Sequence, residues 1–390
     1  MRRHDLDWLR VLLFGLLVLH HTAVGFASFG ASVYGFANDR LGGPAVDLAV
    51  YWSHTWRLPT LFLIAGIATW FATARGAGPR IVGRRVARLA LPLLAGTLLL
   101  NPIAGEAIAR MTGEARFAFV ATGLPLVPYV PRNIMHLWFL ASLALYTLLA
   151  WPLYLARPRL RFPALPGLAA LVLATTAIAI VAKPWGAALA GNGYQFWWYG
   201  GLYLSGYLIG AEHRAILDWA ARRIGWIVAA GVVLFAAEVA MIGAALQVSE
   251  ARAAALASGG WAAAGLLPAY GATGAAFAAV EGLDAWAWAL AALGLAARYL
   301  NRDGPRLRAL SPAVFPIYVF HFPVTILGLA LLAQVPWPWG LEFLLLATAT
   351  YALSWAGYRL IARRPVLNWL TGGPVRGRPP LARPDGGAAS

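Results

Sequence analysis

Cysteine is absent from all 390 residues. That excludes disulfides, a thiolate nucleophile, cysteine metal sites and palmitoylation. Charge is scarce as well: 12% of residues are charged, against 61% hydrophobic, with a mean hydropathy of +0.67. A soluble domain of this length is not built that way, whereas a polytopic helical membrane protein is. Acidic residues number 15 against 31 basic ones, for a net charge of +16. No P-loop, no dinucleotide glycine pattern, no metal-ligand spacing and no solenoid repeat appears. No Ser–His–Asp arrangement can be read by spacing alone.

What is there is a series of apolar runs of spanning length. They lie at 8–29, 46–73, 87–104, 135–156, 165–183, 195–211, 223–246, 275–299, 312–334 and 339–361. The stretch 254–274 is apolar but rich in small residues, and reads as an eleventh span, a re-entrant piece or an interfacial helix. Positive charge decides the number. With ten spans and the N-terminus inside, 24 basic residues fall on the inner side and 7 do not (Arg40, Arg57, Arg110, Arg116, Arg132, Lys183 and Arg252). Inner loops of membrane proteins carry that excess. An eleventh span before Arg298 would move Arg298, Arg302, Arg306 and Arg308 outside. The expected fold is therefore all-α: a bundle of about ten transmembrane helices over residues 1–370, both termini cytosolic, and a disordered tail at 371–390. The start MRRHDLDWLR has the look of a signal peptide, but the interrupted apolar core and the later spans favour an uncleaved first helix. The basic balance is topology, and no nucleic-acid partner is expected.

Ionisable groups inside spans are expensive and are functional candidates by default. The first span holds Arg10, His20 and His21. At 100° per residue His21 lies about 20° from the Arg10 face and His20 about 80° away, with about 16 Å of helical rise between Arg10 and His21. Two readings stand: a path through the bundle, or Arg10 snorkelling to lipid phosphate while His21 bonds a neighbouring helix. The second span carries His54 and Arg57, three residues apart, with Pro59 opening the backbone hydrogen bonding after them. By helical rise His21, His54 and Arg57 reach a similar depth in the outer half. The fourth span opens with His136 and Trp138 at the outer interface, where Trp is commonly an anchor. His321 sits near mid-membrane between Pro316 and Pro323. On the cytosolic side GPRIVGRRVARLALP carries Arg84, Arg85 and Arg88. It reads either as an orientation signal or as a phosphate site, since guanidinium pairs phosphate bidentately. A neutral buried imidazole suits a general base for an alcohol.

Five segments carry a resemblance: DLDWLRVLLFGLLVLHHTAVGF, SHTWRLPTLFLIAGI, RRVARLALP, MHLWFL and SPAVFPIYVFHFPV. Together they resemble the membrane-bound acyltransferase type 3 family, and within it the periplasmic glucan C-succinyltransferase-like branch. The resemblance implies an integral enzyme of the bacterial cytoplasmic membrane. It would move an acetyl or succinyl group from cytosolic acyl-CoA to a hydroxyl of an envelope glycan or lipid, with no metal. It further implies that Arg10 and His21 are the essential pair, with His21 the base, and that Arg85 and Arg88, with Arg84 beside them, bind the donor. His54, Arg57 or His321 would hold the oxyanion, and His136 and Trp138 would meet the acceptor. Ala65 departs from the serine often found there in the family, and the doubled histidine leaves His20 as a substitute for His21. A transporter or lipid-linked-sugar flippase using the same buried charges is the alternative.

Overall fold

The computed structural model describes residues 3–74, 76–114, 119–124, 127–131, 134–156, 163–183, 193–247 and 271–373. Ten helices of twelve residues or more appear among the described residues. They are α1 (Asp5–Val24), α2 (Pro44–Ala72), α3 (Pro79–Thr112), α4 (Trp138–Leu149) and α5 (Ala164–Ala182), then α6 (Gly193–Leu208), α7 (Ile224–Gln247), α8 (Gly271–Tyr299), α9 (Val314–Leu332) and α10 (Trp339–Ile361). One stands at each expected apolar run. Six helical stretches, those containing α1, α3, α5, α7, α8 and α9, are long and apolar enough to cross a membrane. Most of the ambiguous stretch 254–274 and of the tail at 371–390 lies outside the described residues.

Local chemistry explains the ends. Pro44 and Pro79 open α2 and α3 at first-turn positions, where no N–H is required. Because α3 begins at Pro79, Arg84, Arg85 and Arg88 ride on a membrane helix rather than on the loop expected before it. That helix is 34 residues long and runs on to Thr112, through a stretch expected to be an outer loop. A π-helical turn at Gly96–Leu100 interrupts it. Beyond it, Phe119–Leu124 and Val127–Pro131 pair as an antiparallel ribbon, the only strands among the described residues. Pro128 and Pro131 bar a helix there.

Outside, Leu99, Leu173, Val181, Val233, Leu331 and Leu360 are each more than 60% exposed. Inside, the buried residues include Asp5, Arg57, His136, His321, Glu238, Asp284 and Glu342. Apolar out and ionisable in is the pattern lipid demands. The centre is α1, which packs on α2, α8, α9 and α10, while α2 packs on α6 and α8. The α2–α6 crossing is closed through Gly66 and Gly206. A Cβ on Gly66 would stand 2.1 Å from the Tyr203 carbonyl oxygen, and one on Gly206 2.1 Å from that of Leu63. Small residues let membrane helices approach backbone to backbone.

Candidate active site

Five of the seven histidines meet inside the bundle. His20 and His21 come from α1, His54 from α2, His321 from α9, and His136 from the 3-10 turn Met135–Leu137 ahead of α4. Their rings form a continuous line: His54 to His20 at 6.0 Å, His20 to His21 at 5.6 Å, His21 to His321 and His321 to His136 each at 5.2 Å. Met135, at φ 48°, holds the left-handed backbone that a side chain rarely adopts, and this bend delivers His136 to the line. Tyr318 donates to the His136 carbonyl, fastening the bend to α9.

Tautomers follow from the hydrogen bonds. Tyr34 donates its hydroxyl proton to the His21 carbonyl at 2.7 Å and lies 3.0 Å from His21 Nδ1. Its one proton being used, Tyr34 accepts from Nδ1–H, and the lone pair of His21 is on Nε2. Ser53 donates to the Val50 carbonyl and lies 2.7 Å from His20 Nδ1, which sets His20 the same way. His321 Nδ1–H donates to the Tyr318 carbonyl at 2.7 Å. Three imidazoles therefore present Nε2 as acceptor.

Tyr34 reaches this place because the chain after α1 folds back. A short helix, Gly30–Tyr34, returns to the bundle, and a Cβ on Gly30 would lie 2.3 Å from the Val24 carbonyl oxygen. The following turn is pinned to α10, where Arg40 Nε donates to Glu342 at 3.0 Å and Asn38 Nδ2 donates to the same carboxylate.

Arg57 is the cation of this site. It is 1% exposed, its Nε and one terminal nitrogen have no hydrogen-bond partner among the described residues, and its charge acts on His20, His21, His54 and His321. A buried guanidinium with open donors is costly, and those donors could be met by a negatively charged group. His54 is exposed although Ser53 and residues 55–64 are buried. Pro59 leaves the Thr55 carbonyl without its helical N–H, as the sequence suggested.

Arg10 belongs elsewhere. The stripe it shares with His21 is real, but its guanidinium donates to Ser311 Oγ at 2.7 Å and lies 3.5 Å from Asp7. The charges of Arg10 and Arg85 both act on Arg88, so the three form one basic group near the starts of α1 and α3. Arg84 is exposed, about 100° round the helix from Arg85. Arg85 donates to the Ala65 carbonyl at 3.1 Å. The position where the family often has serine therefore sits beside the arginines, away from His21.

Between the two groups stands an aromatic wall. The Arg88 guanidinium lies 5.9 Å from the Phe315 ring, Phe315 is 6.3 Å from Phe14, and Phe14 is 5.4 Å from Tyr318. Tyr318 in turn touches His136 at 5.4 Å and His321 at 5.8 Å. Trp138 packs on Phe62 and Tyr199, beside this wall rather than in the histidine line. Sequence reasoning missed Tyr34, Ser311 and Tyr318, since no spacing marks a hydroxyl brought in by a loop or a distant helix. Among the described residues no group of acidic residues and histidines is arranged to hold a metal ion.

No curated protein and no solved structure matches the chain. The acyltransferase domain family, Acyl_transf_3, matches residues 3–359, which takes in α1 to nearly the end of α10, the arginine group, Arg57 and all five clustered histidines. The chain belongs to that family, and it is a membrane acyltransferase.

Proposed function

We propose that this enzyme carries an acetyl or succinyl group from cytosolic acyl-CoA to a hydroxyl of an envelope glycan or lipid across the bacterial cytoplasmic membrane. On this proposal the enzyme belongs with the glucan C-succinyltransferase-like branch, whose motifs its sequence resembles. In this reading the chain crosses the membrane ten times with both termini cytosolic, as the arginine distribution favours. The observation that carries the reading is Arg57, buried with open donors beside an imidazole whose Nε2 is free.

The phosphates of CoA dock on Arg10, Arg85 and Arg88. The pantetheine arm passes the wall of Phe14, Phe315 and Tyr318, which brings the thioester to the histidines. His21 Nε2 takes the acceptor's hydroxyl proton as that oxygen bonds to the carbonyl carbon. Arg57 donates to the oxyanion. The intermediate collapses, the C–S bond breaks, and the imidazolium returns the proton to the thiolate, releasing free CoA and the ester. No acyl-enzyme is needed.

The test is reconstitution with acetyl-CoA or succinyl-CoA on the arginine side and cell-envelope glycan on the other. Free thiol release and the mass of the glycan are then read together. Acylated glycan with stoichiometric CoA is expected. Neither product above a liposome blank would return the protein to the transporter reading.

A further inference from the structure

A second polar group lies behind α2, and the acyl-transfer chemistry does not use it. Glu238 from α7 and Asp284 from α8 are both 0% exposed. Tyr51 donates to Glu238 Oε2 at 2.9 Å, and the Thr55 hydroxyl is shared between the Trp52 carbonyl at 3.0 Å and Asp284 Oδ2 at 3.1 Å. The other oxygen of each carboxyl, Glu238 Oε1 and Asp284 Oδ1, has no hydrogen-bond partner among the described residues. Two indole N–H groups nearby are in the same condition. Trp56 Nε1 has no partner, and Trp288 Nε1 approaches Asp284 without completing a hydrogen bond. The Trp52 ring joins the two indoles, at 5.4 Å from Trp56 and 5.2 Å from Trp288. Glu281, ion-paired with Lys183, completes the group and is partly exposed; its charge acts on Glu238, Asp284 and His54.

The open atoms are two acceptors and two donors. An ammonium only donates, so it would leave both indoles unmet. An anion would meet the indoles and leave the two carboxyl oxygens without a donor. A hydroxyl donates and accepts, and therefore fits both kinds. The protein's own hydroxyls, on Tyr51 and Thr55, already fill the other half of each carboxyl. Thr55 also follows His54, so the group adjoins the histidine line.

We infer that Glu238, Asp284, Trp56 and Trp288 form a binding subsite for a polyhydroxylated acceptor, held through hydroxyls other than the one that is acylated. This rests on the acyl-transfer reading for its role, not for its existence. A monohydric alcohol would then be a poor acceptor, however well its one hydroxyl reached His21.

The experiment uses the full-length protein in nanodiscs without any acyl donor. Maltotriose is the probe and 1-propanol the competitor, and binding is read by saturation-transfer NMR. Wild-type protein should bind maltotriose and propanol should not displace it. Glu238→Gln and Asp284→Asn should each raise Kd by about tenfold, the loss of one hydrogen bond to a buried group. Trp288→Phe, which keeps the ring and removes only the donor, should raise Kd several-fold and stands in if a carboxyl variant fails to insert. Equal binding by wild type and the variants, no binding at all, or displacement by propanol would overturn the subsite. Binding that depends on these residues in a protein that releases no CoA would support the subsite while sinking the acyl-CoA reading.

Discussion

Tyr34 and His21 are tied twice: the phenol donates to the His21 carbonyl at 2.7 Å and receives Nδ1–H at 3.0 Å. One loop side chain thus orients the imidazole and chooses its tautomer. Tyr34→Phe should keep the packing against Phe322, whose ring is 5.7 Å away, and lose both bonds. The expected result is a kcat lowered by about tenfold or more, from one to two hydrogen bonds of about 1 kcal/mol each. The KM for acyl-CoA should not change. Steady-state kinetics on both substrates separates the two.

His21→Ala should lower acyl transfer by about 10²–10⁴, the range for loss of a general base. Expression and acyl-CoA binding should persist. His20→Ala should cost less than about tenfold, because His20 faces Ser53 and His54 while His21 sits in the middle of the line. The two variants are compared in detergent at matched thermal stability. Activity should also fall on the acid side as the free Nε2 takes up a proton. Wild-type activity in His21→Ala would remove the base.

Arg57→Met should remove the oxyanion donors without leaving a buried charge. A loss of about 10²–10³ in kcat is expected, the scale of one oxyanion donor. Fold stability should hold or rise, since a buried guanidinium with open donors is a burden on the folded state. Thermal unfolding followed alongside turnover checks both, and a stable variant with full kcat would take Arg57 out of the chemistry.

Arg85→Ala with Arg88→Ala should raise the KM for acyl-CoA by about tenfold or more and leave kcat near normal. Arg10→Ala should behave the same way, because its charge acts on Arg88 and its guanidinium is held by Ser311, apart from the histidines. A pure kcat effect in Arg10→Ala would restore it to the base.

The segment 298–308 should be cytosolic. Arg306 is exposed there, and the chain has no native cysteine, so Arg306→Cys gives one reportable thiol. It should resist impermeant maleimide in intact spheroplasts and label after lysis. Labelling without lysis would support eleven spans.

Hydropathy by itself located ten helices, because lipid compatibility is a property of each run and needs no partner. The motif residues were also legible, since an ionisable side chain inside such a run is conspicuous wherever it ends up. What periodicity supplied for Arg10 and His21 was a shared direction, and direction does not choose neighbours. About 16 Å of helix separates them, so each meets a different level of the bundle. At one level α3 and the start of α9 bring Arg85, Arg88, Phe315 and Ser311 to Arg10. At the other, α2, α9 and the Met135 bend bring Arg57, His54, His321 and His136 to His21 and to His20. Those groupings, the placing of Trp138 on Phe62 and Tyr199 beside the aromatic wall, and the return of Tyr34 from its loop arise from packing between segments distant in sequence. Only the tertiary structure decides them, because a buried cation or imidazole takes its role from the groups that surround it.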